Sequence, residues 1–209
     1  VSVKVTLPVV TPKLSKSTLG LEAGKSATLT VIPSNVKATW STSNPGVATV
    51  VNGKVTAGKK TGTATITATA SNGKKATCTV TVVSLSKTKL TIKIGQSATL
   101  KVNGTKKKVT WASSKKANVA VTSKGKITAK KAGKVTITAK AEGVSLKCNV
   151  TVKTAPKSVK ATVSGKKKVT LKKNKSCKIK VSMSPKGSDS VLKYSTSNKK
   201  VATVDSKGK

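Results

Sequence analysis

Apolar and polar residues alternate along most of this chain. Ala27, Leu29 and Val31 are separated by polar residues, as are Ala64, Ile66 and Ala68, and then Ala76, Cys78 and Val80. A period of two puts one set of side chains in a core and the other in water, which predicts strands and not helices. Turn chemistry punctuates the pattern at Asn44-Pro45, Asn52-Gly53, Asn72-Gly73 and Lys124-Gly125. The first stretch predicts seven strands, at 14–21, 25–32, 36–42, 46–51, 53–57, 63–70 and 74–82. Short strands at such close intervals predict a two-sheet sandwich of about 70 residues.

The pattern then repeats. Gly24-Lys-Ser-Ala-Thr-Leu29 returns as Gly95-Gln-Ser-Ala-Thr-Leu100, Trp40 as Trp111, and Gly62 with Thr65-Ile-Thr-Ala68 as Gly133 with Thr136-Ile-Thr-Ala139, each shifted by 71 residues. Cys78 returns as Cys148, shifted by 70. A third, more diverged copy aligns Lys175-Ser-Cys-Lys-Ile179 with Lys25-Ser-Ala-Thr-Leu29, and Tyr194-Ser-Thr-Ser-Asn198 with Trp40-Ser-Thr-Ser-Asn44. It reaches Lys209 on the turn that matches Asn52-Gly53. The expected division is 1–8, the last strand of a preceding repeat; 9–82, repeat 1; 83–153, repeat 2; and 154–209, an incomplete repeat 3. Internal periodicity of this kind predicts modules that contact only their neighbours. Short links, Val83-Ser84 and 153–156, favour an extended row.

Composition narrows the function. All 43 basic residues are Lys, set against Glu22, Glu142, Asp189 and Asp205, for a formal net charge of +39, and there is no His. General acid–base catalysis draws on His or on carboxylates with retuned pKa values, and these four acids are scattered. Zinc sites need clustered Cys and His. We therefore expect no enzyme activity, no cofactor and no metal. No run of eighteen apolar residues marks a membrane-spanning helix.

The succession Trp40-Ser-Thr-Ser-Asn-Pro-Gly-Val-Ala-Thr-Val50, Asn52-Gly-Lys-Val-Thr-Ala57 and Gly62-Thr-Ala-Thr-Ile-Thr-Ala68 resembles the bacterial immunoglobulin-like domain of group 2. Trp111-Ala-Ser-Ser114, Gly125-Lys-Ile-Thr-Ala129 and Ala132-Gly-Lys-Val-Thr-Ile-Thr-Ala139 repeat the signature in the same order. The resemblance implies an all-β fold of tandem immunoglobulin-like β-sandwiches. It also implies a non-catalytic structural or adhesive stalk segment of a bacterial cell-surface, wall-associated or secreted protein. Similar modules occur in phage virion or tail proteins and as accessory repeats of secreted enzymes, which are the alternative settings. The family carries no shared catalytic or metal residues, so its fold says little about a ligand.

Three kinds of residue remain as candidates. Trp40, Trp111 and Tyr194 share one repeat position. They are expected as buried plugs in cores otherwise built from Val and Ala, since a sugar platform would need exposed aromatic neighbours that the chain lacks. Cys78 and Cys148 fall on the inward strand phase as small apolar residues. Cys177 replaces Ala27 and Ala98 and could find a partner in the rest of its repeat. The lysine runs could attract polyanions: Lys106, Lys107, Lys108, Lys115, Lys116, Lys130, Lys131, Lys166, Lys167, Lys168, Lys172 and Lys173. Edge protection and solubility explain such runs equally well. The partners expected are wall or host-surface polyanions, such as teichoic acid or anionic glycans, and neighbouring repeats of the same chain. Specific nucleic-acid readout is not expected without Arg forks or stacking aromatics, and nor is membrane insertion. The acids do not recur at equivalent positions, which argues against a Lys–Asn isopeptide cross-link.

Overall fold

The structure is a computed structural model and describes residues 11–185, 188 and 192–209. The strand expected at 1–8, and Asp189, lie outside the described residues. Repeat 1 contains β1 (Lys13–Leu14), β2 (Thr18–Glu22), β3 (Ser26–Thr28), β4 (Val31–Ile32), β5 (Ala38–Thr42), β6 (Ala48–Val51), β7 (Lys54–Ala57), β8 (Gly62–Ala70) and β9 (Lys75–Leu85). β5, β8 and β9 form an antiparallel sheet to which β2 adds in parallel along β9, while β3, β7 and β6 form the second sheet. Repeat 2 contains β10 (Lys89–Lys93), β11 (Ser97–Thr99), β12 (Val102–Asn103), β13 (Thr110–Ser113), β14 (Val119–Val121), β15 (Lys126–Ala129), β16 (Gly133–Ala141) and β17 (Val144–Lys153). Its sheets, β10-β17-β16-β13 and β11-β15-β14, copy the same topology. In repeat 3, β18 (Ser158–Thr162) pairs with β19 (Lys180–Ser184).

Two expected strands are each broken in two. The segment 14–21 splits into β1 and β2 because the chain changes sheets: β1 pairs with β4, and β2 with β9. The segment 25–32 splits likewise into β3 and β4 around Leu29, which is 1% exposed and whose N–H donates to the Gly53 carbonyl at 2.9 Å. Around Leu29 the alternation continues, so the period of two could not reveal that crossing; between Leu14 and Leu19 the apolar phase shifts by one across the polar run 15–18.

Each complete repeat closes over a thin aliphatic core. Leu29, Ile66 and Cys78 are buried with Leu21, Val55 and Val80 in the first. Leu100, Ile137 and Cys148 are buried with Ile127, Leu146 and Val150 in the second. Trp40 and Trp111 depart from expectation. They pack against these cores but are only half-buried. The reason is local: each indole lies at the end of the sandwich against a turn glycine. Gly53 (φ 80°) and Gly125 (φ 77°) occupy left-handed backbone, and a Cβ there would lie 3.2 Å from Trp40 Cζ2 and 2.8 Å from Trp111 Cζ2. Repeat 3 follows the same rule with Tyr194, whose ring lies 2.8 Å from a Cβ built on Gly208 (φ 77°). In all three the glycine carbonyl accepts a backbone N–H, from Leu29, Leu100 and Ile179.

No loop separates repeats 1 and 2. Val83 and Ser84, expected as a linker, lie inside β9. Ser84 and Leu85 pair with β12, as Lys13 and Leu14 pair with β4. The last strand of repeat 1 therefore runs directly into the first strand of repeat 2, and Val83 and Leu85 already belong to the second core. Two glycines let the backbones meet. A Cβ on Gly20 would fall 1.9 Å from the Glu142 carbonyl oxygen, and one on Gly104 would fall 2.1 Å from that of Val82. The Glu142-Gly143 turn between β16 and β17 is held by its own side chain. Thr105 donates its hydroxyl to Glu142 Oε1 at 2.6 Å, and Lys107 Nζ donates to Oε2 at 2.9 Å. These contacts hold the Glu142 carboxyl below the usual carboxylate range, the Thr105 hydrogen bond contributing most.

Repeat 3 leaves apolar residues uncovered. Val201, the counterpart of Val47, is 81% exposed where Val47 is 2% exposed. Val47 packs beside Gly62 at the start of β8.

Two substitutions test these contacts. Gly125→Ala should destabilise repeat 2 by at least about 2 kcal/mol, combining left-handed strain with a clash against Trp111; a melting curve unchanged from the parent would refute the role given to this turn. Gly20 has no left-handed φ, so Gly20→Val should leave the repeat 1 core intact and force only the joint apart. Residual dipolar couplings should then report a changed angle between the repeats. The Glu142 contribution to the joint is complete above its ordinary pKa of about 4.3 and is lost as pH falls through the lower folded value. The couplings should therefore be constant from neutral pH down to about 5 and should change only in stronger acid.

Candidate functional site

The lysines singled out by sequence fall into three groups. Lys106, Lys107 and Lys108 follow β12 in the loop that reaches the Glu142 turn, and Lys107 is already committed as the ion-pair partner of Glu142. Lys115 and Lys116 follow β13, and Lys130 and Lys131 follow β15. These two turns come together around Asn118, whose carbonyl accepts N–H bonds from Lys130 at 2.7 Å and Lys131 at 3.1 Å, and whose own N–H donates to the Lys115 carbonyl. Four of the lysines singled out by sequence thus share one end of repeat 2. Lys166, Lys167, Lys168, Lys172 and Lys173 lie exposed between β18 and β19, apart from that cluster in sequence.

The sheets gather another set that the runs did not point to. On the outward face of β10-β17-β16, Lys89 is paired in register with Asn149, Asn149 with Thr136, and Lys134 with Thr151. Further along, Lys147 is paired with Thr138 and Lys140 with Ser145. Lys89, Lys134, Lys140 and Lys147 are all exposed, while Val135, Ile137, Cys148 and Val150 between them point inward and are buried. Lys89 and Lys134 border a basin of about 510 Å³ that Thr91, Thr136, Asn149 and Thr151 also line. The Thr136 hydroxyl donates to Asn149 Oδ1 at 3.3 Å. The signal in the sequence was the polar phase of the strands: at the equivalent positions repeat 1 has Thr18, Thr63, Thr69 and Thr77.

The other candidates offer less. Cys78 and Cys148 are buried free thiols, and burial pushes both pKa values up against a smaller opposing influence of Lys16 and Lys87. A raised pKa leaves little thiolate, so neither is placed as a nucleophile. Cys177 is also free and is half-buried. The Trp111 edge lies beside Lys101, Lys108 and Lys124 in a shallow depression, with no second aromatic ring.

Comparison with known proteins fixes the family. The profile of the bacterial Ig-like domain (group 2) matches residues 8–80 and again 79–152. No curated protein matches the chain. Among solved structures, a C-terminal fragment of intimin, crystallised with the intimin-binding domain of the translocated intimin receptor, is 19% identical. It covers 75% of this chain and 67% of its own, with a TM-score of 0.44. The S-layer protein SbsC is 23% identical over 72% of this chain and 29% of its own, with a TM-score of 0.28. A tri-modular GH5 endo-β-1,4-glucanase from Bacillus licheniformis is 14% identical over 69% of this chain and 39% of its own, with a TM-score of 0.29. The chain spans well under half of the last two. With its signature matched twice in tandem and its strands closed into two copies of one sandwich, the chain belongs to the bacterial Ig-like domain (group 2) family.

Proposed function

We propose that this chain is a non-catalytic spacing segment of a bacterial surface or secreted protein. In this reading the repeats set a functional region at a distance, and the lysines attract polyanions. The observation that carries the reading is the joint between repeats 1 and 2. A strand that passes without a loop from one sandwich to the next, braced by bare backbone at Gly20 and Gly104, transmits length and direction. A flexible tether would do neither. Family membership supports the surface setting, and a chain without His and with four scattered acids offers little to acid–base chemistry. The net charge of +39 supports the second part, because exposed ammonium groups gather counter-ions whatever the backbone does.

Both parts can be tested separately. Each repeat adds roughly 35–40 Å, from strands at about 3.3 Å per residue plus loops. X-ray scattering of the chain should therefore give a rod-like distance distribution whose maximum exceeds roughly 70 Å. A compact, near-spherical distribution would overturn the spacing role. For the charge, immobilised heparin, teichoic acid and DNA should each retain the chain at low salt and release it well below 1 M. The Debye length shrinks from about 10 Å at 0.1 M to about 3 Å at 1 M salt, so contacts made by exposed lysines lose their range. Flow-through at low salt would remove the polyanion role, and retention by a neutral sugar at 1 M would replace it.

A further inference from the structure

Repeats 1 and 2 share one topology, so the same place on each can be compared residue by residue. On repeat 1 the edge of the outward sheet face around Gly20, Thr79 and Thr81 is walled on one side and keeps a basin of about 570 Å³. The Glu142-Gly143 turn of repeat 2 sits there, with Lys107, and its backbone reaches within a Cβ's width of Gly20. The equivalent place on repeat 2 is the basin lined by Thr91, Asn149 and Thr151, now bordered by Lys89 and Lys134. Thr91 stands where repeat 1 has Gly20. Its side chain takes up the space next to the strand, so no turn can press its backbone against Thr91 as the Glu142 turn does at Gly20. The face presents five exposed lysines, Lys89, Lys93, Lys134, Lys140 and Lys147, with hydroxyl and amide groups between them. Among the described residues no acid shares it: Glu22 lies in repeat 1, Glu142 is turned toward Thr105 and Lys107, and Asp205 lies in repeat 3.

Resting on the polyanion reading above, we propose that this face of repeat 2, and not the turn lysines, is where the chain holds its polyanion. The occupant is an extended polyol phosphate chain of the kind found in anionic wall polymers. The chemistry of the face selects it. Ammonium groups meet phosphates as point charges. The Thr and Asn side chains supply donors and acceptors that suit a hydroxylated backbone. No aromatic ring lies on the face for a base to stack on, and no guanidinium is present to read one. Lys134 and Lys140 stand about 20 Å apart along β16, six residues at about 3.3 Å each. A ligand touching both must therefore be a chain and not a single anion. Neighbouring strands about 4.8 Å apart bring Lys89 and Lys147 alongside its path.

The sibling repeat supplies the variant. Replacing Lys89, Lys134, Lys140 and Lys147 by Thr installs the residues that repeat 1 carries at the same positions. A control that replaces Lys106, Lys108, Lys115 and Lys116 by Gln removes the same charge from the turns. With fluorescently labelled poly(glycerol phosphate) as the probe at 0.1 M salt, the face variant should bind at least tenfold more weakly than the parent, and the turn variant within about threefold. The slope of log affinity against log salt should fall by about 2–3 for the face variant, at about 0.7 per lost contact on a single-stranded polyanion. Placing Lys at Thr18, Thr63, Thr69 and Thr77 provides a second check that needs no loss of function. Because the Glu142 turn covers part of that face, this variant should gain less than the face variant loses. Acylation footprinting should find Lys89 and Lys134 reactive in the free chain and protected by the polymer. Equal loss in the two variants, or Lys89 and Lys134 protected before polymer is added, would overturn this assignment and leave the general polyanion reading standing. No binding by the parent chain at low salt would overturn both. Poly-dA bound more tightly than poly(glycerol phosphate) through the same lysines would overturn the identity of the occupant.

Discussion

A ring laid on a left-handed glycine closes the end of each repeat, and the thin cores depend on it. Val, Ala, Leu and Ile fill the space between the sheets, but small side chains cannot seal the open end where the strands diverge. Trp40 and Trp111 supply that seal from the edge strands β5 and β13, and Tyr194 from the matching position of repeat 3, while Gly53, Gly125 and Gly208 supply the turn that receives it. The same turn accepts the N–H of Leu29, Leu100 or Ile179. One contact therefore fixes the second sheet to the first and anchors the large aliphatic residue beside the crossing. The same contact recurs between Tyr194 and Gly208 in repeat 3.

From that seal the rest of the arrangement follows outward. Once each sandwich is closed, its last strand is free to continue, and β9 does so into the first strand of the next core. The joint then needs no linker, only two places where backbone can touch backbone. Glu142 has the additional task of holding its turn in shape. In a chain with so few acids, spending one on Thr105 and Lys107 keeps that turn pinned against Gly20 and takes Lys107 out of the pool of free cations.

Much of this was legible in the sequence, and the illegible parts share a cause. Alternation located the strands of repeat 1 and the inward set Leu29, Ile66 and Cys78, because burial and strand phase are written residue by residue. The exact register of repetition identified Trp40 with Trp111 and their shared role as plugs. It could not show that the plug sits at the rim, half-buried, because that depends on where the Gly53 turn lands in space. The sheet change near Leu29 was hidden since both halves of that strand keep the same alternation, whereas near Ser15 the shift of phase between Leu14 and Leu19 marks the break. The Gly20–Glu142 contact joins residues more than a hundred positions apart, and nothing local marks either as a partner. Lysine runs drew the eye to turns, where residues are consecutive. The face lysines are spread over three strands and become neighbours only through pairing.

The difference between the two outward faces ties the joint to the surface chemistry. A module repeated along a rod would ordinarily offer the same face each time. Here Gly20 lets repeat 1 give part of its face to the next repeat, and the positions there that match the repeat 2 lysines are neutral threonines, which tolerate close packing without desolvating a charge. Repeat 2 carries Thr91 in place of that glycine and lysines in place of those threonines. Had the lysines been on repeat 1, the approach of the Glu142 turn would have had to strip water from several ammonium groups for one carboxylate in return. Had Gly20's freedom been on repeat 2, its charged face would have been available for burial. The substitutions therefore go together, threonines where the Glu142 turn approaches repeat 1 and lysines at the matching positions of repeat 2.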